Sequence, residues 1–134
     1  MQISCVFIPK YRRKALYASL RKHLGEVFRE LARHKESEIG EGHLMVDHVH
    51  MLLSIPPKYS VAGMIGYLKG KSSMIIFERF SKLKKNFKGH HFWARGYYVS
   101  TVGLDEGKIK KYIRDQDENE SIEDRWDTDL SSPF

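Results

Sequence analysis

One cysteine, Cys5, serves a chain of 134 residues. A lone thiol excludes an internal disulfide and any zinc site built on several cysteines. Its place inside the apolar run Gln2–Ile8 marks it as a small buried side chain and not as a nucleophile. Long apolar runs are missing too, and nothing approaches the roughly 20 residues that a helix needs to span a bilayer. The first apolar stretch, Ile3–Pro9, is short and is followed by Lys10, Arg12 and Arg13, the reverse of a secretory signal's charge order. The expectation is a cytoplasmic protein with no membrane segment. Repeats, low-complexity linkers and signs of a second domain are absent, and a hydrophobic share of 41% suits one domain with a real core.

Acids are scarce through most of the chain. Residues 117–134 hold seven of them (Asp117, Glu118, Glu120, Glu123, Asp124, Asp127, Asp129) against one base, Arg125. Residues 1–116 keep 10 acids against 22 bases, so a body near +12 precedes a tail near −6. A body this basic points to a polyanion, most often nucleic acid, although charge alone is equally compatible with a solvated basic surface. The domain is placed at residues 1–119, and residues 120–134 are expected to form an acidic tail partly without fixed structure.

The apolar pattern gives seven elements. Gln2–Ile8 reads as a strand. Residues 14–34 read as a helix, with Leu16, Leu20, Leu24, Val27, Phe28 and Leu31 at spacings of three and four. Glu38–Val46 reads as a strand weakened by Gly40 and Gly42, and Asp47 turns the chain into a third strand, His48–Ile55, stopped by Pro56 and Pro57. Ser60 is positioned to cap a second helix over 61–80, which carries Val61, Met64, Ile65, Leu68 and Ile75 on one face. Phe92–Val102 reads as a fourth strand, and a last helix covers 106–119. The order β-α-β-β-α-β is the split, ferredoxin-like pattern of an α+β fold, shared with RNA-recognition domains. It predicts an antiparallel four-stranded sheet with two helices on one face, and leaves the seventh element to cover the other.

Two clusters on those elements carry chemistry. Alternate residues of a strand share a face, so His48 and His50 project together while Val49, Met51 and Leu53 project the other way onto the helices. Two imidazoles so placed can chelate a metal, and equally can be a surface or hydrogen-bonded pair. The other histidines, among them His23, His34, His43, His90 and His91, lack such pairing and read as surface or structural. On the last helix Ile109, Tyr112, Ile113 and Gln116 share a face, with Tyr112 and Gln116 one turn apart. If that face covers the open side of the sheet, both approach the histidine pair; otherwise Tyr112 is a packing residue. Gly66–Ser72 imitates a phosphate loop, but with three residues between its glycines where the motif has four, and within a helix, so no nucleotide is expected. Arg95-Gly96-Tyr97 begins like an RNA-recognition signature that Tyr98, Val99 and Ser100 then break. Trp93 reads as core, with base stacking as its alternative.

Taken in order, five blocks resemble a known family. Pro9-Lys10-Tyr11-Arg12-Arg13 follows the first strand, and Asp47-His48-Val49-His50-Met51-Leu52 is similar to the metal motif of HUH endonucleases. Leu68-Lys69-Gly70-Lys71-Ser72-Ser73 comes next, then Phe92-Trp93-Ala94-Arg95-Gly96-Tyr97 with Thr101-Val102-Gly103, and last Tyr112-Ile113-x-x-Gln116. Together they resemble the single-tyrosine transposases of the smallest bacterial insertion sequences, the IS-two-hundred type, over about residues 3–118. The resemblance implies that Tyr112 is the nucleophile, that His48, His50 and Gln116 hold a magnesium or manganese ion, and that cleavage leaves a 5′-phosphotyrosine. It implies single-stranded or hairpin DNA as partner, with Lys10, Arg12, Arg13, Lys69, Lys71 and Arg95 as DNA contacts. It also implies a homodimer whose active sites are shared between subunits. Two alternatives stand beside it: a non-catalytic single-strand-binding module of the same fold, which has no need of the Tyr112 and Gln116 pair, and a nuclease of this type recruited for host duties.

Overall fold

The computed structural model describes residues 1–10, 13–79, 91–103 and 105–130, with side chains from 119 onward left aside. Among them the elements run β1 (Gln2–Phe7), α1 (Lys14–His34), β2 (Glu38–Leu44), β3 (Val49–Ser54), α2 (Val61–Arg79), β4 (Tyr98–Ser100) and α3 (Glu106–Leu130). The four strands form one sheet in the order β2-β3-β1-β4, and every recorded pairing is antiparallel. This is the predicted α+β, ferredoxin-like arrangement.

The helices form where the apolar spacing places them. α1 buries Leu20, Leu24, Val27, Phe28 and Leu31 against the sheet, and Tyr17 joins them. It stops at Glu36, which adopts a left-handed φ of 53°. The amides of Glu36 and Ser37 return to the carbonyls of Arg33 and Ala32, so the last turn closes on itself. Ser60 caps α2 as expected, its Oγ accepting the Gly63 amide at 3.0 Å. Ile3, Cys5 and Phe7 of β1 and Val49, Met51 and Leu53 of β3 face these helices and form the main core with Trp93. Cys5 is fully buried, and burial pushes its thiol up to about 12, as an inert core residue requires.

Burial along the two central strands shows where α3 lies. β3 alternates between buried and half-buried residues, so its second face stays open to water. β1 is buried continuously from Ile3 to Phe7, so something covers both its faces. The cover is α3: Ile109 and Ile113 pack with Val6, Ile8 and Ala94 in a second, smaller core, and Tyr98 and Tyr112 lie against it. A 2.6 Å ion pair from Lys14 to Asp117 ties the same helix to the start of α1.

Several boundaries differ from expectation. β2 ends at Leu44 and β3 begins at Val49, because the Met45 amide donates to the His48 carbonyl at 2.9 Å and closes a tight hairpin. Gly40 sits at a bulge, where the register shifts between Ile39 and Glu41. The fourth strand shrinks from 92–102 to Tyr98–Ser100, since Gly96 turns at φ +81° and breaks the extended run. Its first part keeps one bridge, between Pro9 and Trp93. α3 continues past the expected end at 119 as far as Leu130, so much of the acidic tail is helical. No helix among the described residues is long and apolar enough to cross a membrane.

Candidate active site

The register of the sheet assembles the open face residue by residue. His43 of β2 pairs with His50 of β3, His50 with Val6 of β1, and Val6 with Tyr98 of β4. Paired residues point to the same side, so His43, His50, Val6 and Tyr98 form one row across the sheet. α3 rests on the Val6 and Tyr98 half, and the Tyr98 and Tyr112 rings stand 5.9 Å apart. The histidines hold the other half, with the His43 and His50 rings 6.0 Å apart.

His48 lies just before β3 and is fixed from two directions. Its carbonyl accepts the Tyr17 hydroxyl at 2.7 Å, so the α1 core sets the backbone. Its Nδ1 sits 2.7 Å from the Asp47 carboxylate. A carboxylate on Nδ1 selects the tautomer that leaves Nε2 as a lone-pair donor, the usual second partner of a metal-bound imidazole. His50 is held below the ordinary histidine range, first by burial and then by the nearby His43 and His48 rings. It is therefore neutral at physiological pH, the form that can ligate. Two imidazoles presented side by side are donors of the kind a divalent ion takes. Among the described residues no three His, Cys, Asp or Glu side chains converge on one point.

Tyr112 is set against the apolar cluster. Its hydroxyl is buried with no hydrogen-bond partner among the described residues, and burial pushes the phenol up to about 12. In this arrangement it is a neutral phenol, and no hydrogen bond links it to the histidines. Gln116 is half-buried one turn further on, and a Cβ placed on Gly96 would stand 3.9 Å from its Nε2. Tyr112 and Gln116 are thus brought onto the face that His50 shares, at the far end of the row.

The expected DNA contacts separate into groups. Lys71 and Arg95 are exposed and Lys10 is half-buried, whereas Arg13 is buried and Arg12 lies outside the described residues. Lys69 gives its ammonium to the carbonyls of Ala94 and Gly96. Lys108, Lys111 and Arg114 on α3 are exposed. The reading of His43 as unpaired is corrected by its place opposite His50. A hairpin closed at residues 45–48 pairs positions whose numbers have a constant sum, and placing that turn would have found it. Asp47, expected as a turn residue and as the first residue of the histidine block, also engages His48 Nδ1, and its adjacency to His48 is the sequence signal for that contact. Trp93 is core, its indole N–H donating to Ser72 Oγ at 2.8 Å. His23, His34 and His91 are exposed, and His90 lies outside the described residues.

Comparison with known proteins places this geometry in a context. Residues 1–116 match the model of the family described as "Transposase IS200 like". The chain is 47% identical over 129 residues to the transposase for insertion sequence element IS200 of Salmonella typhimurium LT2, covering 96% of this chain and 82% of that protein. It is 29% identical over 121 residues to the ISDra2 transposase TnpA of Deinococcus radiodurans, covering 90% and 86%. A crystal structure of a Deinococcus radiodurans R1 protein assigned as a transposase superposes with a TM-score of 0.75 at 28% identity, over 87% of this chain and 90% of that one. A REP-associated tyrosine transposase bound to a REP hairpin shares the fold alone, with a TM-score of 0.52 at 13% identity, over 82% of this chain and 61% of that one.

Proposed function

The chain belongs to the IS200-like transposase family, and we propose that it is a metal-dependent single-strand DNA endonuclease and strand transferase acting through Tyr112. The observation that carries the reading is the shared face: His50 of β3 and Tyr112 of α3, 62 residues apart in sequence, lie on one side of one sheet, with His48 and Gln116 on the adjoining turns of chain. A stacking platform for bound bases requires no such pairing.

His48, His50 and Gln116 would hold a magnesium or manganese ion. When bound, the ion polarises the scissile phosphate and offsets charge in the transition state. Tyr112 Oη attacks phosphorus, the bond from phosphorus to O3′ breaks, the phenolic proton is released, and the leaving 3′ oxygen takes up a proton. The product is a 5′-phosphotyrosine and a free 3′-hydroxyl. One phosphate ester replaces another, so attack by a second 3′-hydroxyl reverses the step and joins new ends without nucleotide fuel. Asp47 orients His48, and neutral His50 keeps its lone pair available.

The partner is single-stranded or hairpin DNA. The body near +12 supports this, with Lys10, Lys71 and Arg95 as backbone contacts at the surface. The active form is a homodimer in which α3 of one subunit seats Tyr112 beside the histidines of the other. Its support is the short segment between Gly103 and Gly107, with Gly103 at φ +100°, where the backbone can redirect the helix. The domain of residues 1–119 carries this chemistry, and the acidic residues after it continue its last helix as far as Leu130. The decisive experiment incubates the protein with single-stranded DNA from the flanks of its own gene plus manganese. A covalent protein–DNA adduct on a denaturing gel supports the reading, and its absence across both flanks refutes it.

A further inference from the structure

The Lys69–Ser73 run, which imitates a phosphate loop in sequence, grips another part of the chain. Ser73 Oγ accepts the Phe92 amide at 3.3 Å. Ser72 Oγ accepts the Trp93 indole N–H at 2.8 Å. Lys69 Nζ donates to the Ala94 carbonyl at 2.7 Å and to the Gly96 carbonyl at 2.8 Å. One face of α2 therefore holds residues 92–96 in reverse order along its length, and the two sequence blocks are the halves of one clasp.

What this clasp supports lies on its far side. Ala94 is buried in the second core with Ile109 and Ile113, and its amide donates to the Ile8 carbonyl at 2.8 Å. Gly96 turns at φ +81° beside the Gln116 side chain. The two carbonyls that Lys69 holds thus belong to the two residues of the segment that meet α3. They converge on one point, and like ends of two dipoles repel unless a cation or donor sits between them. The half-buried ammonium fills that place.

We propose that Lys69 is a positioning residue, which seats the tyrosine helix by pinning the Ala94 and Gly96 carbonyls. This rests on the reading that Tyr112 and Gln116 react on that helix. It assigns Lys69 a task distinct from the phosphate contact expected of a lysine in a DNA-binding protein.

The test is Lys69→Met in the full chain, which keeps the aliphatic stem and removes the charge. Three quantities are measured: amide hydrogen exchange by residue, affinity for single-stranded DNA from the gene flanks, and the rate of adduct formation at saturating DNA. Exchange is expected to accelerate about tenfold or more within 93–98 and 109–116, with β1 and β3 within about twofold of the parent. Affinity stays within about twofold while the saturated rate falls about tenfold or more, as misplaced reacting groups dictate. Unchanged exchange in both segments overturns the proposal, as does acceleration throughout the chain, which marks a purely structural lysine. Weaker binding with an unchanged saturated rate also overturns it, since that is a phosphate contact. Should the parent form no adduct, the transposase mechanism fails, and the exchange pattern alone decides whether Lys69 seats α3. If Lys69→Met does not fold, Lys69→Gln, a shorter neutral donor, replaces it in the same three measurements under the same criteria.

Discussion

Replacing Tyr112 by phenylalanine removes one oxygen, and the structure assigns that oxygen two opposed effects. The hydroxyl is buried without a hydrogen-bond partner among the described residues. A buried polar group left without a partner costs about 1–3 kcal/mol. The Tyr112 ring is only half-buried, so the low end applies and Tyr112→Phe should stabilise the fold by about 1 kcal/mol. In a chain of this size that raises the melting temperature by roughly 3–5 °C. The same variant should form no covalent adduct while binding single-stranded DNA as the parent does. A gain in stability with complete loss of chemistry is the signature of a group kept for reaction and not for packing.

Alkaline pH supplies an internal check. The phenol is pushed from its ordinary 10 to about 12 by burial, so the folded state holds the proton more tightly than the unfolded chain. That contribution is complete below pH 10 and is lost as pH rises through 12. The advantage of Tyr112→Phe should therefore widen above pH 10; burial also raises Tyr17, but equally in both proteins, so it cancels in the difference. Thermal melts at pH 7, 10 and 11 with a denaturing gel at neutral pH make the whole measurement. A phenylalanine variant that melts below the parent would refute the reasoning, because the hydroxyl would then be making a bond. An adduct formed by that variant would transfer the nucleophile to another tyrosine, with Tyr97 or Tyr98 first in line.

Three further outcomes follow from the same face. His48→Ala or His50→Ala should abolish manganese-dependent cleavage, as should chelation by EDTA, and Asp47→Asn should weaken manganese affinity about 10–100-fold by calorimetry through loss of the carboxylate on Nδ1. Affinity for single-stranded or hairpin DNA should fall steeply with salt in a titration, given the body near +12, and equal affinity for plain duplex would contradict the transposase reading. Co-expressed Tyr112→Phe and His48→Ala chains should recover cleavage if sites are shared, since one site of the mixed dimer is then complete; a verified mixed dimer that stays dead places Tyr112 with its own histidines.

The elements that were legible in the sequence are those with a strong period. α1 matches residue for residue, because 21 residues of three-and-four spacing have no competing reading. His50 falls on the open face where the strand period of two places it, while His48 lies just before β3. Long-range geometry was not legible. Nothing local to His43 announces that it faces His50, since that depends on where the hairpin closes. The fourth strand looked long because Phe92, Trp93 and Ala94 are apolar. Their burial is served by contacts with α2 and β1, and only Tyr98–Ser100 pairs as a strand. The reach of α3 to Leu130 was hidden by a composition that mimics an unstructured acidic tail.

The small second core bears on the proposal that one helix is both cover and reagent. β1 needs a cover for Val6 and Ile8, and α3 supplies one through Ile109 and Ile113. That cover is thin beside the main core of some twenty buried side chains, so α3 is the helix held by the smaller apolar contact. Beyond the two isoleucines, its described ties to the body include the Tyr98 and Tyr112 ring contact and the half-buried pair of Lys14 and Asp117, one residue past Gln116. Such a seat is specific in shape but modest in strength. An identical helix from a second copy, seated in the same place, would meet the same Val6, the same Ile8 and the same Lys14 and leave the Tyr112 hydroxyl equally without a partner among the described residues. The proposed sharing of sites between subunits therefore requires α3 to leave this seat for the histidines, where the hydroxyl would gain polar neighbours at the cost of the cover over Val6 and Ile8. A buried hydroxyl with no partner among the described residues lowers the cost of that move.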